Sequence, residues 1–125
     1  WRHFRHAVGV AAESAGVKPP SVTALHGVLV AAGIARAAVK KDPALVGVPV
    51  GVSVSILVNL RSFASGVSDP QALANCFGTV TCGVVVPPEV ASASPEAAAA
   101  AAWLAQAGAA LKADYSQRIA RGEAH

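Results

Sequence analysis

The sequence predicts an α/β unit in the order helix, helix, strand, strand, helix, a partial two-layer sandwich in which residues 1–125 form a single incomplete domain. Three observations carry that expectation. Val46, Val48, Val50, Val52, Val54, Ile56, Val58 and Leu60 occupy alternate positions, which is the period of a strand. Apolar residues at three- and four-residue spacing flank that run on both sides, which is the period of a helix. Hydrophobic residues make up 54% of the chain and charged ones 14%, enough to bury a core and too apolar for disorder.

The first helix is expected from Arg2 to Ala15, where Phe4, Val8, Ala11, Ala12 and Ala15 share a face and Gly16 follows at the place of a left-handed terminator. After Val17-Lys18-Pro19-Pro20, Ser21 is the expected N-cap of a second helix. Its stripe of Val22, Leu25, Leu29, Ala32 and Val39 leads to Lys40-Lys41, cations suited to the negative end of the helix dipole, and Asp42-Pro43 ends it. Because this helix is apolar on most sides, it is expected to be covered by other structure.

The alternating run predicts a long strand from Leu45 to about Arg61, with Pro49 and Gly51 marking an edge, bulge or break near its start. A loop rich in Ser, Gly, Asp and Pro covers Ser62 to Leu73, and a second strand is expected over Asn75 to Val86, stopped by Pro87-Pro88. The last helix has Ser94 as expected N-cap, Pro95 in the first turn and Glu96 near the positive dipole end. Trp103, Ala107, Leu111, Tyr115 and Ile119 follow four apart down one side, and the alanine run from Ala97 to Ala102 is strong helix former. Two strands are too few for a complete sheet, and the chain contains no methionine. Both features predict a stretch of a longer polypeptide.

The formal charge of +3 is scattered, with no dense basic block interleaved with aromatics, so nucleic-acid binding is not expected. The nearest approach to a patch is Arg2, His3, Arg5 and His6, read as a solvated helical turn. No transmembrane segment is expected, because the charge-free stretch from Pro43 to Leu60 has the period of a strand. No signal peptide opens the chain, which makes a cytoplasmic location the expectation. Cys76 and Cys82 lie in an apolar stretch without Cys-x-x-Cys or a nearby His, so they read as small core residues and not as a zinc site or disulfide.

His3 and His6 are three apart and could face one metal, yet no third ligand accompanies them. His26 falls near the apolar stripe of the second helix and reads as a core or boundary histidine. A general-base role would need a carboxylate, and none lies between Glu13 and Asp42. His125 is terminal and uninformative. Neither a nucleophile elbow, a P-loop nor a dinucleotide fingerprint is present. Arg61 directly follows the apolar strand and Asn59-Leu60; it either emerges into solvent or meets a defined acceptor.

The segment Val52 to Phe63, VSVSILVNLRSF, followed by a loop and by NCFGTVTCGVVVPPE at Asn75 to Glu89, resembles the second half of alcohol O-acetyltransferases and their condensation-domain relatives, in the chloramphenicol-acetyltransferase-like superfamily. The helix at Pro19 to Val39 and the one at Ala100 to Glu123, with Trp103-Leu104-Ala105, are similar to family elements in the same order. The resemblance runs from about Phe4 to Glu123 and implies CoA-dependent acyl transfer to an alcohol in a tunnel between two α/β halves. It implies no tightly bound cofactor, acyl-CoA and an alcohol as substrates, and the missing N-terminal half of the same polypeptide as partner. The family's catalytic His-x-x-x-Asp does not occur here, since Ala7, Val10 and Val30 stand four residues after His3, His6 and His26. No catalytic residue is therefore assigned, and the chain alone is expected to be inactive. By the same resemblance Asn59 and Arg61 are structural interface residues, Arg61 pairing with the Asp of that motif.

Two other expectations stand beside this one. A non-catalytic α/β interaction module would need a partner or oligomer to cover its sheet. An unrelated small α/β protein would share only Ala/Val composition with the family.

Overall fold

In a computed structural model of the protein, residues 1–59, 77–92, 94 and 96–124 are described. Among the described residues four helices and a two-stranded antiparallel sheet form, in the order α1 (Arg2–Ser14), α2 (Val22–Lys41), a 3-10 turn (Pro43–Leu45), β1 (Val50–Asn59), β2 (Phe77–Val86), α3 (Pro88–Ala91) and α4 (Ala97–Ala120). This bears out the α/β class and the order of the main elements.

The strands pair in uninterrupted register from Val50 opposite Val86 to Asn59 opposite Phe77. Alternation then decides everything about the hairpin. Val52, Val54 and Ile56 of β1 and Val80, Cys82, Val84 and Val86 of β2 are buried on one face, while the residues between them are exposed on the other. Each large aliphatic withdrawn from water stabilises the layer by about 1.5–3 kcal/mol. The helices supply the cover, α2 packing on β1 and α4 on β2, with α1 against α4.

Ser21 caps α2 as expected, its Oγ accepting from the Ala24 N–H at 3.2 Å. The Tyr115 hydroxyl lies 3.2 Å from the same Oγ, which fastens α4 to the start of α2. Close approach of the two helices depends on glycines. A Cβ at Gly27 would meet Leu111 Cδ2 at 2.7 Å, and one at Gly108 would meet Pro20 Cβ at 2.7 Å. Helix α1 ends as its sequence predicts, with Gly16 at φ 68° and Val17 N–H donating to the Ala12 carbonyl. The same terminator recurs after α4, where Gly122 has φ 75° and Glu123 N–H donates to the Arg118 carbonyl.

Five expectations are corrected. The first strand begins at Val50 and not Leu45, because Asp42 Oδ1 accepts from the Ala44 N–H at 3.0 Å and sets a 3-10 turn, and Gly47 at φ 77° turns the chain again. Val46 and Val48 share the alternation by sequence yet are exposed in that turn. Pro87-Pro88 stops β2 but also starts the short α3, Pro88 taking the first helical position. The N-cap of α4 is Glu96, without a side-chain capping bond, and not the exposed Ser94; Pro95 lies outside the described residues. The buried line of α4 is Leu104, Ala105, Gly108 and Leu111, while Trp103, Ala107, Tyr115 and Ile119 border it. Helix α2 is covered on one face only: Ala24, Leu25, Val28, Ala31 and Ala35 are buried, whereas Val22, Val30 and Ile34 are exposed.

Candidate functional site

Asn59 closes β1 opposite Phe77, on the uncovered face of the sheet. Arg61 and Cys76, two residues singled out in the sequence, lie outside the described residues, as does the loop expected from Ser62 to Leu73. Around Asn59 the uncovered face is built from small polar residues with apolar ends. Ser55 and Thr81 are register partners with their hydroxyl oxygens 3.0 Å apart, and Ser53 faces Gly83. Leu57, Phe77 and Val85 are the large apolar side chains exposed there. Neither β1 nor β2 carries a charged residue.

Beneath the covered face, one polar cluster ties β2 to the end of α4. Arg118 Nε donates to Asp114 Oδ1 at 3.0 Å, and its Nη1 donates to Glu123 Oε2 at 3.4 Å. The guanidinium beside it holds the Asp114 carboxyl below its ordinary value. Burial, and then a hydrogen bond to Asp114, pushes the Cys82 thiol up to about 11. At neutral pH Cys82 is therefore a protonated core thiol, unsuited to nucleophilic attack. The sequence signalled this cluster only through the four-residue spacing of Asp114 and Arg118.

At the other end of the molecule an apolar groove of about 700 Å³ runs between the last turns of α2, Val46 and the end of α3. Ala37, Val39 and Ala91 line it, with Arg36 and Lys40 as its cations. That combination suits a ligand with an apolar body and an anionic end. Arg36 and Lys40 fall four apart, a spacing that puts them in one row of α2; the groove itself needed the turn at Val46.

The histidines do not converge. His3 and His6 are exposed on α1, and no group of three or more His, Cys, Asp or Glu side chains that could hold a metal is found among the described residues. His26, expected in or beside the core, is exposed, and its ring stacks on Trp1 with centroids 5.3 Å apart. Among the described residues one helix, α2, is long and apolar enough to cross a membrane by length and composition. Compared with protein-family models, with curated proteins and with solved structures, the chain matches none.

Proposed function

We propose that the chain is part of a CoA-dependent O-acyltransferase, supplying one wall of a two-half assembly and the Asn59-Leu60-Arg61 scaffold while residues outside it contribute the general base. The observation that carries this reading is the order of its motifs. Helix α2 leads through a turn into β1, β1 ends at Asn59, which Leu60-Arg61 follow in the sequence, its antiparallel neighbour opens on Phe77-Gly78, and α4 bears Trp103-Leu104-Ala105. On this reading a histidine of the other half takes the proton of the acceptor hydroxyl, the oxygen attacks the thioester carbonyl, and the CoA thiolate leaves with that proton. Arg61 holds the histidine segment by a bidentate contact to its aspartate, a geometry a lysine ammonium cannot reproduce.

The test is to sequence the native polypeptide around this stretch and to follow CoA thiol release by the full-length protein with acyl-CoA donors and alcohols. A His-x-x-x-Asp elsewhere in the chain, alcohol-dependent release, and loss of that release in Arg61→Lys are the expected results. A native chain without the motif, or full activity in Arg61→Lys, removes the reading.

A second reading, a non-catalytic module that docks through its sheet, is favoured by the uncharged strands and by exposed Leu57, Phe77 and Val85. It predicts a stable oligomer or complex by light scattering, disrupted by Leu57→Lys, and no thiol release.

A further inference from the structure

We infer that the outward surface of α1 and α2 is a docking face for an anionic membrane, on which the protein lies without crossing it. The charge of the chain is unevenly placed. Residues 1–41 hold six Lys and Arg against one acid, Glu13, for a formal +5 in a chain whose total is +3, so the remainder carries a net negative charge. The same two helices also expose apolar side chains, among them Trp1, Val22, Val30 and Ile34.

These features are continuous in space. Trp1 shares a depression with Arg2, Arg5 and His6 of α1, and its ring stacks on His26 of α2. From His26 the exposed stripe Val22, His26, Val30 and Ile34 runs along α2 at four-residue intervals and ends at exposed Lys40 and Lys41. An aliphatic stripe bordered by cations and an exposed tryptophan is what the boundary between lipid headgroups and acyl chains selects. The aliphatics enter the acyl region, the indole sits at its border, and the cations meet anionic headgroups. A nucleic acid would have no use for Val30 and Ile34. Cations at both ends of the stripe are unfavourable to pairing with a second copy of the same face.

Lying and crossing are distinguished by the other side of α2. Ala24, Leu25, Val28, Ala31 and Ala35 are buried there, and Gly27 approaches Leu111 and Val54. A helix that crossed the bilayer would have to abandon those contacts. A helix lying flat keeps them. The inference does not rest on the acyltransferase reading.

The test is sedimentation of purified full-length protein with vesicles of phosphatidylcholine alone and of phosphatidylcholine mixed with phosphatidylserine. The expected result is roughly tenfold or greater preference for the anionic vesicles, weakening as salt rises. Val30→Glu with Ile34→Glu, and separately Lys40→Glu with Lys41→Glu, should each lower binding by about tenfold or more while leaving the thermal transition in place. Several results overturn the inference: no binding, equal binding to both vesicles, or binding indifferent to these substitutions. Resistance to salt and alkaline extraction would instead assign α2 a crossing role. A dimer in the absence of vesicles that Val30→Glu dissociates would assign the face to self-association.

Discussion

The two faces of the hairpin share one backbone ladder and differ in burial and, between their apolar ends, in polarity. On the inner face, β-branched aliphatics at Val52, Val54, Ile56, Val80, Val84 and Val86 lie beneath α2 and α4. On the outer face, one residue away along each strand, Ser53, Ser55, Thr79 and Thr81 stand exposed. The difference separates two kinds of constraint. Inner positions are held by transfer from water and by packing, so they specify the fold. The outer ones contribute little to holding it together and are available for whatever docks on the sheet.

The sharpest way to break that contrast is to place the same charge on adjacent residues. Val80→Asp buries a carboxylate under α4 and should cost about 4 kcal/mol or more, abolishing cooperative unfolding in urea. Thr81→Asp, one position along and exposed, should stay within about 1 kcal/mol. If the two substitutions cost the same, the outer face is buried in the native protein.

A smaller effect separates Ile56 from Leu57. Ile56→Ala removes packed methyl groups and leaves a cavity, for a loss of about 2–4 kcal/mol, whereas Leu57→Ala should lose less than about 1 kcal/mol in the same denaturant titration. The helix layer can be sharpened in the same manner through its glycines. Gly108→Ala drives a methyl into the rigid Pro20 ring and should destabilise by about 1–3 kcal/mol. Gly27→Ala meets the movable end of Leu111 and should be near neutral, the strain offset by better helix propensity. Gly33→Ala meets nothing within 4 Å and should stabilise by about 0.5–1 kcal/mol. Thermal unfolding of the three variants gives the order.

A last effect, confined to the extremes of pH, runs through the cluster below β2. The Asp114 carboxyl is lowered from 3.8 by Arg118, so its contribution is present above that value and is lost as pH falls through the depressed native one. Asp114→Asn should flatten the acid limb of stability against pH, modestly, because the pair is solvent-screened. Cys82 has the opposite sign. Its thiol is raised from 9.0 to about 11, so its contribution is complete below 9.0 and disappears as pH rises through the native value. Cys82→Ala should remove that alkaline loss.

Much of this architecture was legible from periodicity and punctuation. The inner face of β1 follows from strict alternation, and α2 from Ser21 at its start and Lys40-Lys41 at its end. What failed was local geometry that alternation cannot report. Val46 and Val48 continue the pattern of the strand, but Asp42 and Gly47 form turns that prevent pairing. Ser94 has the chemistry of a cap, yet α4 starts after Glu96, downstream of a short helix that Pro87-Pro88 had concealed. At the site, Asn59 is the last residue of β1, in a strand the alternation carried on to about Arg61, while the stack of Trp1 on His26 and the union of Cys82 with Asp114 join residues far apart in sequence. Patterns read within a window of a dozen residues carry no information about such pairings.

The contact between Ser21 and Tyr115, 94 residues apart, also sets the order in which the molecule can assemble. The hairpin is encoded between its two covers. During synthesis α2 leaves the ribosome ahead of the strands and α4 after them, so half of the inner face must wait for the last helix. Closing so long a loop is entropically slow compared with forming the hairpin itself. For that interval the uncharged strands are open to pairing with neighbouring chains, and the kinetic hazard of this fold lies in the delay before α4 arrives.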